Sequence, residues 1–407
     1  MNAIRKDILS LNWNVNKFID LFGNEFEFLY QLKNTEQDIV WHAEGDVHIH
    51  TDMVLKEVYE LIVLNNFTES EQFVLILSAL LHDIAKPIST KKVFSDRDNR
   101  ELVIAPNHEQ KGMDYIFHKL LNYVDHKNRD FHDFMSYEEF INIVTVVGYH
   151  QIPKKVVGTD FNRYTFANIA MKVNPKLVYF LEVADFKGRT CYDTESQLDY
   201  LHLFKSYMDD FGYLDGFDKA SLGIENEYVL HKGFNLLKTG EISMFDEAEA
   251  KFFEHKNNHA ELILLSGLSG VGKTTYIKEN YSNHTIISFD DIRESLSFRE
   301  NQKDNAEVVR IAKDRLKIHL ARKEKIVFDA TNIRIDLRDK ILTIGHNYHA
   351  LNKIVFLVDS LNNIIERDKK REYSVGEKVI LTQEYNFQTP DKSEADDVSW
   401  VLNRTKF

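Results

Sequence analysis

Leu262–Thr275 reads LILLSGLSGVGKTT, and the fold of the C-terminal third turns on this stretch. The apolar run Leu262–Leu265 has the length of a buried parallel strand and is too short for a core helix. It leads directly into Gly267-Leu-Ser-Gly-Val-Gly-Lys273-Thr274, which fits G-x-x-x-x-G-K-[ST]. Gly267, Gly270 and Gly272 let backbone N–H groups turn inward around a phosphate chain, with Ser269, Val271 and Thr275 in the same phosphate-facing segment. Lys273 reaches the β/γ-phosphates, and the Thr274 hydroxyl can bind Mg²⁺. The strand before the motif and the helical pattern after it are the context the motif requires. A nucleoside triphosphate site is expected here.

Strand–helix alternation continues outward from this point. Further strands are expected at Thr285–Ser288, Lys325–Asp329 and Lys353–Val358, with helices between them, notably Asn305–Lys323. Such alternation predicts an α/β domain with a parallel sheet, its chemistry beyond the carboxyl ends of the strands. Asp290 follows the second strand and is placed to take a proton from an attacking hydroxyl. Arg293, one helical turn on, shares its face and can hold an acceptor phosphate, whereas Asp291 suits an ordinary acidic first turn. Asp329, after the third strand in Asp-Ala-Thr-Asn, is either an acid near Mg²⁺ or a strand-end turn former. In Ile364–Glu372 (IIERDKKRE), Arg367 and Arg371 stand four apart on one expected helix face, where a pair can close over a transferring phosphoryl group.

Together GLSGVGKT, D-D-x-R, D-x-T-N and R-x-x-x-R resemble, in order and spacing, the polynucleotide kinase family of P-loop phosphotransferases over about 145 residues. The resemblance implies that Asp290 is the general base for a 5′-hydroxyl and that Arg293 contacts the acceptor nucleotide's phosphate. It also implies that Lys273 and Thr274 serve ATP and Mg²⁺, that Asp329 is the acid after the third strand, and that Arg371 is a lid arginine with Arg367 one turn earlier.

Residues 1–205 read as mostly helical. Asp46–Leu64 carries a one-sided apolar stripe, and Phe73–Lys86 (FVLILSALLHDIAK) is apolar nearly all round, predicting a central buried helix ended by Pro87. Tyr137–His150 and Pro175–Phe186 are further helices, the latter capped by Asn174. Seventeen histidines is a high count, and several sit at helix ends beside acids. His82-Asp83 is the central doublet. Adjacent helical residues diverge by roughly 100°, so a metal touching both needs ligands from other helices. His50, His108, His150 and Asp185 are the candidates. Asp83 can bridge two ions, with His50, His82 and Asp185 on one and His108 and His150 on the other. Such a pair would activate water for attack on a phosphate ester, with Lys86 one turn away to meet the phosphate. Imidazole ligands favour Mn²⁺, Ni²⁺, Co²⁺ or Zn²⁺ over Mg²⁺.

The series H…HD…H…H…D resembles the HD phosphohydrolase superfamily. WHAEGDVHIHT, LLHDIAKP, NHEQKG, GYHQIP and VADFKGR are similar to the HD domain attached to bacterial CCA-adding enzymes. In that comparison His50 is the first ligand, and His42 and His48 are structural. Arg189 contacts either phosphate or a helix-end carbonyl.

The expected organisation is an all-α HD phosphohydrolase domain (1–205), a helical connector (206–258) and an α/β P-loop kinase domain (259–407). This order resembles the bacterial HD-domain polynucleotide kinases. The resemblance implies RNA end healing (DNA being a second possible substrate): ATP-dependent 5′-OH phosphorylation and removal of 2′,3′-cyclic, 2′ or 3′ phosphate, in functional partnership with a polynucleotide ligase. Two rival readings share the motifs. One is a nucleotide-pool enzyme joining an HD nucleotidase to a small-molecule kinase; the D-D-x-R and lid arginines oppose it. The other is an HD hydrolase switched by a non-catalytic P-loop, which Lys273, Thr274 and Asp290 oppose. The charge of −13 disfavours wholesale coating of nucleic acid. Cys191 is the sole cysteine, which excludes a disulfide framework and fits a reducing cytoplasm. No apolar run approaches the roughly 20 residues of a membrane span, and the start lacks a signal-peptide core.

Overall fold

The structure, a computed structural model, describes residues 3–126, 134–157, 162–296 and 305–402. The chain divides into two compact units, Met1–Phe217 and Asp218–Phe407. The stretch expected as a connector is shared between them. Residues 206–217 finish the first unit. Helices Glu227–Thr239 and Phe245–Lys251 belong to the second, where the Tyr228 hydroxyl donates to the His349 carbonyl at 3.0 Å and Glu227 pairs with Lys353 at 2.6 Å.

In the first unit, helix Glu69–Leu81 is the core. A capping box starts it: the Thr68 hydroxyl accepts from Glu71 N, and the Glu71 carboxylate accepts from Thr68 N. Every residue from Phe73 to Leu81 is buried, and helices Val47–Leu64, Tyr137–Tyr149 and Pro175–Lys187 pack around it. The segment Glu69–Ser89 has the length and composition of a membrane span, but 83% of its apolar window is buried in this core.

The helix stops earlier than its apolar run suggests. His82–Ala85 form turns, and Pro87 sits in the first turn of a short helix, Lys86–Ser89, instead of ending the long one. The unit also departs from the all-α expectation. Strands β1 (Lys91–Ser95) and β2 (Arg100–Ile104) form an antiparallel hairpin. Both faces of the hairpin are largely exposed, which is why no alternating pattern announces it.

In the second unit, strands β3 (Glu261–Ser266), β4 (Thr285–Ser288), β5 (Lys325–Asp329), β6 (Leu351–Val358) and β7 (Asp397–Leu402) form a wholly parallel sheet ordered β4-β5-β3-β6-β7. Leu262–Ser266 are all buried, as a strand covered on both faces requires. From β3 the chain moves first to one side (β4, β5) and then to the other (β6, β7). The carboxyl end of β3 therefore lies at a topological switch point, where open α/β sheets bind ligands. The unit is a parallel α/β domain consistent with a P-loop kinase fold.

Candidate active sites in the two units

The phosphate loop leaves β3 with three residues in the left-handed region: Gly267 (φ 149°), Gly270 (φ 86°) and Gly272 (φ 103°). A Cβ on Gly267 would stand 2.8 Å from the Leu357 carbonyl, and one on Gly270 would stand 2.9 Å from that of Ile364. Glycine is therefore required by space as well as by torsion. The floor of the loop is tied to the segment after β5. Asn332 (φ 45°) donates to Leu265 O at 2.7 Å, Ser266 Oγ donates to Asn332 O at 3.0 Å, and Gly267 N donates to Thr331 O at 2.9 Å. Fully buried Arg338 donates to Asn332 O and makes a bidentate pair with Glu394 at 2.6 and 2.8 Å.

Lys273 Nζ folds onto the carbonyls of Gly267 and Leu268, both at 3.0 Å, and burial lowers its pKa to about 8. Thr274 and Thr275 are exposed at the start of helix Lys273–Asn280. Asp329, paired in register with Ser288, is raised by burial while nearby Lys273 acts in the opposite sense. Thr274 and Asp329 are oxygen donors of the kind Mg²⁺ takes. Ser269 is held by Gln383, whose Oε1 accepts from Ser269 N at 2.9 Å and whose Nε2 donates to Ser269 Oγ at 3.0 Å.

Asp290 is exposed and accepts from Arg293 at 2.8 Å, so the expected base and the expected acceptor contact share a face and rest on each other. The expected arginine pair is different. Helix Leu361–Lys369 ends before Arg371, so Arg367 and Arg371 do not lie on one helix face. Buried Asp368 draws the chain away by accepting from Ser374 Oγ, Val375 N and Gly376 N. Arg371 remains 44% exposed, 3.8 Å from Asp368. Arg367 instead turns inward, donating to Val271 O at 3.2 Å and pairing with buried Asp359.

In the first unit the six expected metal ligands converge from five helices. His50 lies in the first turn of Val47–Leu64, His82 caps Glu69–Leu81, His108 opens His108–His126, His150 caps Tyr137–Tyr149, and Asp185 ends Pro175–Lys187. Close approach at Gly188 brings the last of these in: a Cβ there would lie 2.8 Å from Val54 N. His82, His108 and His150 each bond through Nδ1 to the carbonyl three residues earlier, at 2.8 Å. His50 Nδ1 is 3.0 Å from Glu44 Oε1. Every Nε2 is thereby left to face its neighbours. His50 Nε2 is 2.9 Å from Asp185, His82 Nε2 is 3.2 Å from Asp83, and His108 Nε2 is 3.2 Å from the other oxygen of Asp83.

Two triads capable of holding a metal, His50-His82-Asp83 and Asp83-His108-His150, share Asp83. His50 Nε2 and His82 Nε2 are buried without a hydrogen bond of good geometry, and Asp83 Oδ2, which also lacks one, is ion-paired with the Lys86 ammonium. Buried polar atoms left this way cost stability unless something satisfies them. With Nδ1 fixed by carbonyls or a carboxylate, this donor set fits divalent cations. Burial would raise Asp83, but His82, Lys86 and His108 hold it well below the usual carboxylate range. Burial and the neighbouring His108 and His82 bring His150 to about 3. Lys86 Nζ lies 2.7 Å from Asp83 and donates to Gln37 at 2.6 Å.

Three residues beyond the expected set complete the cluster. Glu44 accepts from His42 and Thr190 N besides holding His50. Glu182, fully buried one turn before Asp185, groups with His150 and Asp185 and pairs with Lys154 at 2.9 Å. Arg189 forms a bidentate pair with Asp185, four residues earlier, and among the described residues its side chain donates to no helix-end carbonyl. The i,i+3 and i,i+4 spacings of Glu182 and Arg189 from Asp185 were the available signal. His48 is peripheral, bonded to Asn16.

Among known proteins, residues 262–390 match the family model of an AAA domain. Two solved structures are similar to parts of the chain. A gluconokinase from Sinorhizobium meliloti 1021 has 19% identity and a TM-score of 0.28, covering 36% of this chain and 83% of that one. Chaetomium thermophilum Kti12 in complex with ADP-AlF3 has 16% identity and a TM-score of 0.26, with coverages of 35% and 88%. The family match and the glycine-lined loop make residues 262–390 a P-loop kinase-like domain.

Proposed function

We propose that the chain heals nucleic-acid ends, RNA foremost and DNA as a second substrate, through two independent active sites. The second unit phosphorylates 5′-hydroxyls with ATP. The first removes 2′,3′-cyclic, 2′ or 3′ phosphate, leaving ends fit for a polynucleotide ligase in the cytoplasm. The observation that carries this reading is the buried cluster of four imidazoles and two carboxylates in a chain that also bears a P-loop.

In the kinase reaction, loop N–H groups and Lys273 hold the triphosphate, while Thr274 and Asp329 would hold Mg²⁺. Asp290 takes the proton as the 5′-oxygen bonds to the γ-phosphorus and the bond to ADP breaks. Arg293, released from Asp290, turns to the acceptor's phosphate. In the first unit, His50, His82, Asp83, His108, His150 and Asp185 would hold one or two divalent transition-metal ions, which supply Lewis acidity toward water and phosphate. Lys86 binds a phosphate oxygen, and Arg189 keeps Asp185 oriented.

The test uses an oligonucleotide bearing a 5′-hydroxyl and a 3′-phosphate, incubated with γ-labelled ATP while both ends are followed. Label on the 5′ end together with loss of the 3′-phosphate is expected. Transfer only to mononucleotides or small metabolites would overturn the proposal in favour of a nucleotide-pool enzyme.

A further inference from the structure

Above the histidine cluster lies a cleft of about 380 Å³, lined among others by Gln37, Trp41, Lys86, Ile104, His108 and Arg189. That volume is in the range of small-ligand sites. One wall consists of the turn 36–42 and strand β2, locked together through Asp38. The Asp38 carboxylate accepts both guanidinium nitrogens of Arg100 (2.8 and 2.9 Å), Val40 N (3.1 Å) and Val103 N (3.2 Å). Its carbonyl accepts from Trp41 N and His42 N at 3.1 and 2.8 Å. On this hydrogen-bonded turn Trp41 is 44% exposed, and its indole has neither a ring partner nor a hydrogen bond among the described residues. The next residue, His42, reaches the cluster itself, its ring 4.7 Å from that of His50.

We infer that Trp41 is a nucleobase subsite: the base of the nucleotide carrying the terminal phosphate stacks on its indole while the phosphate sits among Lys86 and the metal ligands. This rests on the proposed phosphate removal in the first unit. A preset turn presents a large aromatic face into the same cleft as the phosphate-handling groups, which suits a ligand with a planar ring and a phosphate one nucleoside apart. Ile104, 36% exposed, adds an apolar lining to the same cleft. Every base has a π-face, so the subsite holds a terminal nucleotide without reading its identity.

The experiment compares two oligonucleotides with a 3′-phosphate, one ending in an ordinary nucleotide and one ending in an abasic residue. Base–aromatic stacking of about 1–3 kcal/mol converts to about 5- to 150-fold. Trp41→Ala should raise KM by that factor on the first substrate and leave the second unchanged, and Trp41→Tyr should restore most of the difference. Equal losses on both substrates, or no loss on either, would overturn the subsite. In parallel, adenosine 3′-monophosphate should quench tryptophan fluorescence in the wild type and not in Trp41→Phe, whereas ribose phosphate quenches neither. If the wild type dephosphorylates neither oligonucleotide, the proposed function fails, while the quench still decides the subsite: its presence sustains it and its absence overturns it.

Discussion

Arg367→Ala, set beside Arg371→Ala, separates a structural arginine from one expected to act in catalysis. Arg367 compensates Asp359, which is 2% exposed at its side chain and is raised by burial despite its partners. Removing one member of a buried pair costs roughly 3–5 kcal/mol. Asp359 keeps two donors, Ser360 N at 2.7 Å and Asn363 Nδ2 at 2.9 Å, which places the loss near the lower end, about 3 kcal/mol. For a unit the size of Asp218–Phe407, each kcal/mol shifts Tm by about 2–4 °C, giving a fall of about 6–12 °C. Arg371→Ala should cost no more than about 1 kcal/mol, because this side chain is nearly half exposed and 3.8 Å from its acid. If Arg371 serves the proposed kinase reaction, its effect should fall on turnover, since such a guanidinium meets the phosphoryl group only during transfer. Calorimetry of the full chain with and without ATP identifies the transition of the second unit. Adding Asp359→Asn to Arg367→Ala should recover part of the loss, since the uncompensated charge is then gone. Equal and small shifts for the two arginine variants would refute the assignment of Arg367 to structure.

Asp290→Ala should abolish 5′ phosphorylation and leave phosphate removal intact; loss of both in a folded protein would disprove independent sites. Chelation should abolish phosphate removal and lower the melting temperature of the first unit, and Mn²⁺, Ni²⁺, Co²⁺ or Zn²⁺ should restore both. Full restoration by Mg²⁺ alone would contradict the histidine ligand set. Burial holds Lys219 and Lys273 at about 8, below the ordinary 10.5, so between these values the unfolded chain binds more protons than the folded one. The stability of the second unit should therefore rise with pH across about 8–10.5, and Lys219→Met should flatten part of the rise in pH-dependent urea titrations.

What could be read in advance followed fixed local rules. The P-loop was legible because its glycines, lysine and threonine are set by torsion and spacing around one ligand. Strands β3, β5 and β6 were legible because burial on both faces leaves continuous apolar runs, and β4, at the sheet edge with Ile286 exposed, because of its short β-branched run. The histidine cluster was legible as a set of residue types at helix ends. Its supporting shell was not, because Glu44 reaches His50 from a turn, and Glu182 looks like any acid until its burial is known. The hairpin of β1 and β2 escaped because residues exposed on both faces carry no period. Arg371 was misplaced for a reason of competition. The Asp368 carboxylate offers the Ser374 hydroxyl and the backbone N–H groups of Val375 and Gly376 hydrogen bonds outside the helix, and Gly376 (φ 86°) allows the turn.

The acidity of the chain, −13 overall, is compatible with phosphate chemistry because of how its cations are stored. Lys86 rests on Asp83, Arg189 on Asp185 and Arg293 on Asp290, each pair three or four residues apart in sequence. In the proposed reactions the acids Asp83 and Asp185 serve the metals, and Asp290 serves the attacking hydroxyl. A phosphate reaching Lys86 or Arg293 therefore takes a cation from a carboxylate as that carboxylate turns to its own task. The sites gain no long-range attraction from such neutral pairs, and an acidic surface repels a polyanion at distance. Capture must then come from short-range contacts made after arrival: loop N–H groups, exchanged ion pairs and stacking. That division favours an exposed chain end, which can enter a cleft, over the continuous backbone of a duplex, which needs an extended basic surface.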